Sequence, residues 1–94
     1  MSPRNKKPRT CTCPLRAEYE QVFKPAGTPL GQLEQVILYH DELEALYLCD
    51  GEHLRQEEAG ERMGVSRGTV QRLLAAARAK VAQALVTNKA LCIK

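Results

Sequence analysis

Tryptophan is absent, and Tyr19, Phe23, Tyr39 and Tyr47 are the only aromatic residues among 94. A protein that holds single strands by stacking bases needs aromatic platforms, so that class is disfavoured. No apolar run approaches the roughly 20 residues of a membrane span. The basic N-terminus is followed by no apolar stretch of the kind a secretory signal carries. A cytoplasmic protein with reduced thiols and no membrane partner is expected. A glycine-rich loop able to cradle phosphates is also missing. The cysteines, Cys11, Cys13, Cys49 and Cys92, and the histidines, His40 and His53, are scattered. Zinc sites usually show two Cys/His pairs at tight spacing, and only Cys11 and Cys13 form such a pair here. These two are weak candidates for metal binding or redox sensing. Cys49 reads as a small buried hydrophobe. Glu57 and Glu58 are consecutive, so on a helix they point to different faces and read as solvated surface. Neither an enzyme nor a cofactor is expected.

Charge is present but segregated. Residues 1–16 hold Arg4, Lys6, Lys7, Arg9 and Arg16 and no acid. All eleven acids fall in residues 17–65, against Lys24, Arg55 and Arg62. Residues 66–94 hold Arg67, Arg72, Arg78, Lys80, Lys89 and Lys94, again with no acid. The blocks carry +5, −8 and +6, and the whole chain +3. Such a chain can offer basic ends to a polyanion while its acidic middle faces away.

Three segments follow. Residues 1–16 form a basic, proline-containing arm that bears the Cys pair. Residues 17–40 read as irregular, with a short extended piece around Tyr19–Phe23 and a short helix begun by Thr28 and Pro29 and running through Val36. From Asp41 to Lys94 the pattern is helical. Leu43, Leu46 and Tyr47 recur at helical spacing, with Asp41, Glu42 and Glu44 in the first turn and Gly51 as a left-handed stop. A second helix runs from about Arg55 to Met63. A third starts after Ser66 and reaches about Val86 on a stripe of Val70, Leu73, Leu74, Ala77, Val81, Ala84 and Leu85. Residues 90–93 read as a short terminal strand or a docked tail.

The stretch QEEAGERMGVSRGTVQRLL, residues 56–74, carries the functional signal. Two helices meeting at a wide angle need a small residue at their crossing, a left-handed turn between them and apolar residues that lock the pair. Gly60 and Gly64 suit the first two tasks. Ala59, Met63, Val65, Val70 and Leu73 suit the third, and Ser66 suits the cap of the second helix. This is the pattern of a helix-turn-helix, whose second helix enters the DNA major groove. Arg67, Gln71 and Arg72 have the chemistry to read base edges. Ser66 and Thr69 suit phosphate oxygens, as do Arg78, Lys80 and the arm residues Arg4, Lys6, Lys7 and Arg9.

Residues 41–85 resemble the region-4 helix-turn-helix of the sigma-70 family. The likeness runs through Glu57-Glu58-Ala59-Gly60, Met63-Gly64-Val65-Ser66 and Gly68-Thr69-Val70. Within that superfamily the chain is similar to a group of short bacterial and archaeal DNA-binding proteins of uncharacterised function. Phe23-Lys24-Pro25-Ala26-Gly27, the acidic-leucine helix from Asp41 to Leu46 and the closing Lys89-Ala90-Leu91 carry that second likeness. The resemblance implies an all-α fold with a role in transcription.

The expectation is therefore a sequence-preferring binder of double-stranded DNA and a transcriptional regulator. One motif reads one half-site, so a homodimer is expected, with the third helix beyond Ala75 and the tail from Ala90 as contact surfaces. Two other readings stand beside it. One is a sigma-like module that contacts RNA polymerase or a regulator. The other is a metal- or redox-responsive switch built on Cys11 and Cys13.

Overall fold

The computed structural model describes residues 21–94, and its first element is a strand, β1, Gln21–Phe23. A single 3-10 turn at Leu30–Gln32 precedes β2, Gln35–Leu38. Helix α1 spans His40–Leu46 and widens into a π-turn at Tyr47–Gly51. Helix α2 covers Gln56–Met63, α3 covers Arg67–Val86, and β3, Ala90–Ile93, follows.

The all-α expectation is corrected by the three-stranded mixed sheet, whose order is β1-β3-β2. β3 inserts between two earlier strands, antiparallel to β1 with Val22 opposite Cys92 and parallel to β2 with Ile37 opposite Cys92. Its sequence explains the central place. Ala90, Cys92 and Ile93 are all buried, and an unbroken apolar run fits a strand covered on both sides. The tail expected as a dimer surface is therefore inside the molecule. The helix expected through Val36 is also absent. Pro29 caps one turn closed by Gln32 N–H to Pro29 O and Leu33 N–H to Leu30 O, each 3.0 Å. The β-branched pair Val36-Ile37 then favours extended pairing over a helix.

α1 begins at His40, one residue before the expected start, with Tyr39 as its N-cap. Glu42 Oε1 accepts the Tyr39 N–H at 3.0 Å, the return half of a capping box. At its far end the left-handed residue is His53, with φ 63°, and not Gly51. Gly51 serves for space: a Cβ there would stand 2.8 Å from the Tyr47 ring. The π-turn closes with Glu52 N–H on Tyr47 O at 2.8 Å.

α3 is the axis on which the rest is hung. One side packs Val70 with Ala45, Leu48 and Ala59 from the helices before it. Further along, Ala77 meets Leu38 and Ile93 of the sheet, with Leu43, Leu46 and Val81 around them. Small residues at Ala45, Ala59 and Ala77, all fully buried, let backbones approach closely. Leu85 of the expected stripe and Val65 of the expected helix-pair core differ. Leu85 is 74% exposed and lines an open cavity with Phe23 of β1 and Leu91 of β3. Val65 has its side chain partly in solvent and acts through its backbone.

That backbone makes the tightest contact between α2 and α3. Val65 N–H bonds Gly60 O at 2.9 Å. A Cβ on Gly60 would lie 2.7 Å from Val65 O, a distance that backbone cannot easily relieve. Gly60→Ala is thus expected to destabilise the fold by about 1–3 kcal/mol through overpacking. Helix propensity alone would favour alanine by about 1 kcal/mol. Chemical denaturation gives the sign directly.

Candidate nucleic-acid interface

The turn between α2 and α3 is Gly64-Val65-Ser66. Gly64 adopts the left-handed conformation at φ 74°, which glycine takes without the Cβ penalty. Its N–H bonds Gly60 O and so closes α2. Ser66 is the N-cap of α3, its Oγ accepting Thr69 N–H at 3.1 Å. At the other end of the hairpin, Glu58 Oε1 accepts the Arg55 N–H at 2.9 Å and caps α2. With Ala59 and Val70 fully buried and Met63 and Leu73 packed beside them, the two helices are fixed as one unit.

This packing leaves the start of α3 outward. Ser66, Arg67, Gly68, Gln71 and Arg72 are all exposed, with Thr69 half-buried among them. The first turn holds no acid. Helix amides and basic side chains therefore share one surface, where the helix dipole also favours negative charge. The Arg67 guanidinium lies 3.8 Å from Glu57, with both side chains more than half exposed. Such a pair is weak and readily exchanged for another anion. Arg72 Nη2 donates to Thr69 Oγ1 at 3.2 Å.

The other basic candidates on α3 are placed differently. Arg78 forms a two-pronged contact with Asp50, Nε to Oδ2 at 2.9 Å and Nη2 to Oδ1 at 2.7 Å. Lys80 Nζ reaches Glu42 Oε1 at 2.7 Å and stands 4.8 Å from the centre of the Tyr39 ring. Glu42 is buried, so Lys80 balances a carboxylate that would otherwise be costly. Both cations thus tie α3 to the α1 segment, and neither stands with Arg67 and Arg72. Glu57 and Glu58 likewise are more than solvated surface, since one meets Arg67 and the other caps α2. Only half of the usual capping signature is present in the sequence, the Glu at the third helical position, because Tyr39 and Arg55 are not the residues that normally cap.

Arg4, Lys6, Lys7 and Arg9, as well as Cys11 and Cys13, lie outside the described residues. Among the described residues no cluster of three metal-ligating side chains occurs. Burial pushes the thiols of Cys49 and Cys92 above their ordinary range, so neither is a ready thiolate. No helix among these residues is long and apolar enough to cross a membrane.

The Arg78 hydrogen bonds hold the Asp50 carboxyl below the ordinary carboxylate range. A depressed folded-state pKa adds stability above the unfolded value and loses it as pH falls through the folded one. In a carbon-detected NMR titration Asp50 is expected to protonate at lower pH than a free aspartate. In Arg78→Gln its midpoint is expected to return upward.

A family model described as "Protein of unknown function DUF134" matches residues 1–94. A UPF0251 protein of Desulforudis audaxviator is 58% identical over 72 residues, which cover 77% of this chain and 47% of the relative. One from Syntrophobacter fumaroxidans is 52% identical over 93 residues, covering 97% of this chain and 56% of its own. One from Vibrio vulnificus is 47% identical over 91 residues, covering 97% and 88%. The chain spans about half the length of the first two of these relatives. No solved structure matches it significantly. A match along its whole length, with relatives about half identical to it over the aligned residues, shows that the chain belongs to the DUF134 family of UPF0251 proteins.

Proposed function

We propose that the α2–α3 hairpin is a helix-turn-helix of the sigma-70 region-4 kind, that it reads double-stranded DNA, and that the protein regulates transcription. The observation that carries this reading is the division of α3 into two faces. One is anchored against Ala45, Leu48 and Ala59. The other presents Arg67, Gln71 and Arg72 to solvent within the first two turns. A helix held by one side with long donors on the other can be lowered into a major groove without unfolding anything. There arginine pairs with guanine O6 and N7, and glutamine with adenine N6 and N7. The free amides of the first turn suit a phosphate.

The acidic residues of α2 help orient the approach. Glu57, Glu58 and Glu61 are all exposed on that helix. They are repelled by the phosphate backbone, so the basic start of α3 is the preferred leading edge. Arg78 and Lys80, already paired with carboxylates, are assigned to holding α3 in place. One hairpin covers one half-site, so two copies on a two-fold site are the assembly this reading calls for.

Fluorescence anisotropy with random-pool duplex DNA across a salt series tests the proposal. Binding should weaken steeply with salt, by a slope of about 0.9 per phosphate neutralised. Arg67→Ala with Arg72→Ala should abolish sequence preference, since each lost base contact removes about 1–3 kcal/mol of discrimination. Failure of both proteins to bind at low salt would overturn the reading. The hairpin would then be a protein-contact element.

A further inference from the structure

A side-chain relay runs along the first turn of α3. Ser66 Oγ accepts the Thr69 N–H at 3.1 Å and donates to Thr69 Oγ1 at 3.0 Å. Thr69 Oγ1 also accepts from Arg72 Nη2 at 3.2 Å. A hydroxyl has two lone pairs and one proton. Both lone pairs of Thr69 are engaged, and its proton remains for a group outside the relay. The guanidinium of Arg72 is drawn back over the turn beside position 68. A Cβ on Gly68 would stand 3.9 Å from Arg72 Nη1 and 3.9 Å from Ser66 Oγ. Glycine keeps any longer side chain out of that space.

The geometry points to Thr69 as a positioning residue for Arg72, the two together setting a preference for guanine at one base pair; this rests on the DNA-reading proposal above. A free arginine samples many rotamers, and docking it onto a base edge costs that freedom. The relay removes part of the cost beforehand by holding one hydrogen of Nη2. The other hydrogen of Nη2 and those of Nη1 remain. They form the parallel pair of donors that guanine O6 and N7 accept. Cytosine presents an amino donor at the same edge and offers this fork nothing to bind. Thr69 thereby acts through Arg72, and the phosphate role that its sequence position suggests passes to the remaining amides of the turn.

The experiment begins with a duplex selected by the wild-type chain from a random pool. Arg72→Ala identifies the base pair at which discrimination is lost. Thr69→Val keeps the β-branched shape and leaves Ser66 to cap the helix, but removes the acceptor for Arg72. Thr69→Ser keeps the hydroxyl. Thr69→Val should lose at least about fivefold of the discrimination at that base pair. Thr69→Ser should retain it, and adding Thr69→Val to Arg72→Ala should cost nothing more there. Unchanged discrimination in Thr69→Val, or its loss in Thr69→Ser, overturns the inference. So does a uniform loss across sequences, which marks a phosphate contact. These outcomes leave the DNA-reading proposal standing. A wild-type chain that binds no duplex overturns that proposal, and the inference with it.

Discussion

Everything at the exposed end of this molecule depends on the close approach of two backbones at Gly60. The carbonyl of Val65 occupies the space in which any other residue would carry its Cβ. That approach sets where α2 crosses the start of α3. Gly64 then supplies the left-handed turn, and Ser66 the cap. The three residues act in sequence: approach, reversal, restart. A helix placed this way has its first two turns free of packing on one side, the property the functional proposal needs.

The opposite end of α3 is held by different physics. There the sheet closes over Ala77, with Leu38 and Ile93 as the facing side chains. Two ion pairs reach from α3 to the α1 segment, Arg78 to Asp50 and Lys80 to Glu42. The first is largely exposed and contributes little to stability by itself. The second engages a buried carboxylate and cannot be broken without leaving that charge alone. The charge segregation of the sequence thus has two uses. Arg78, Lys80 and Lys89 of the basic C-terminal block pair with acids of the middle, while Arg72 and Arg67, the latter in a weak exposed pair with Glu57, stay outward.

Legibility in the sequence divides along contact range. The extents of α2 and α3, the left-handed Gly64 and the Ser66 cap depend on residues a few positions apart, so local spacing reveals them. The sheet depends on pairing Gln35–Leu38 with Ala90–Ile93 across more than fifty residues, and no local pattern announces such a partner. That is why Val36 reads as helical when it is not, and why the tail, legible as a short terminal strand, is also taken for a dimer surface. Leu85 shows the same limit in reverse: its spacing is that of a core residue, yet its side chain is largely exposed. In the candidate site the outward position of Arg67, Gln71 and Arg72 follows from the helical stripe. The relay through Thr69 does not, because it depends on rotamers that spacing cannot supply. Nor does the pairing of Arg78 and Lys80, whose partners lie on another helix.

The central claim is that the start of α3 is the surface that meets DNA. Amide chemical-shift mapping during titration with duplex DNA tests it most directly. The largest shifts are expected at Ser66 through Arg72, with the β2 and β3 amides unmoved. Shifts confined to the α1 face around Tyr39 and Tyr47, or no shifts at low salt, would contradict it.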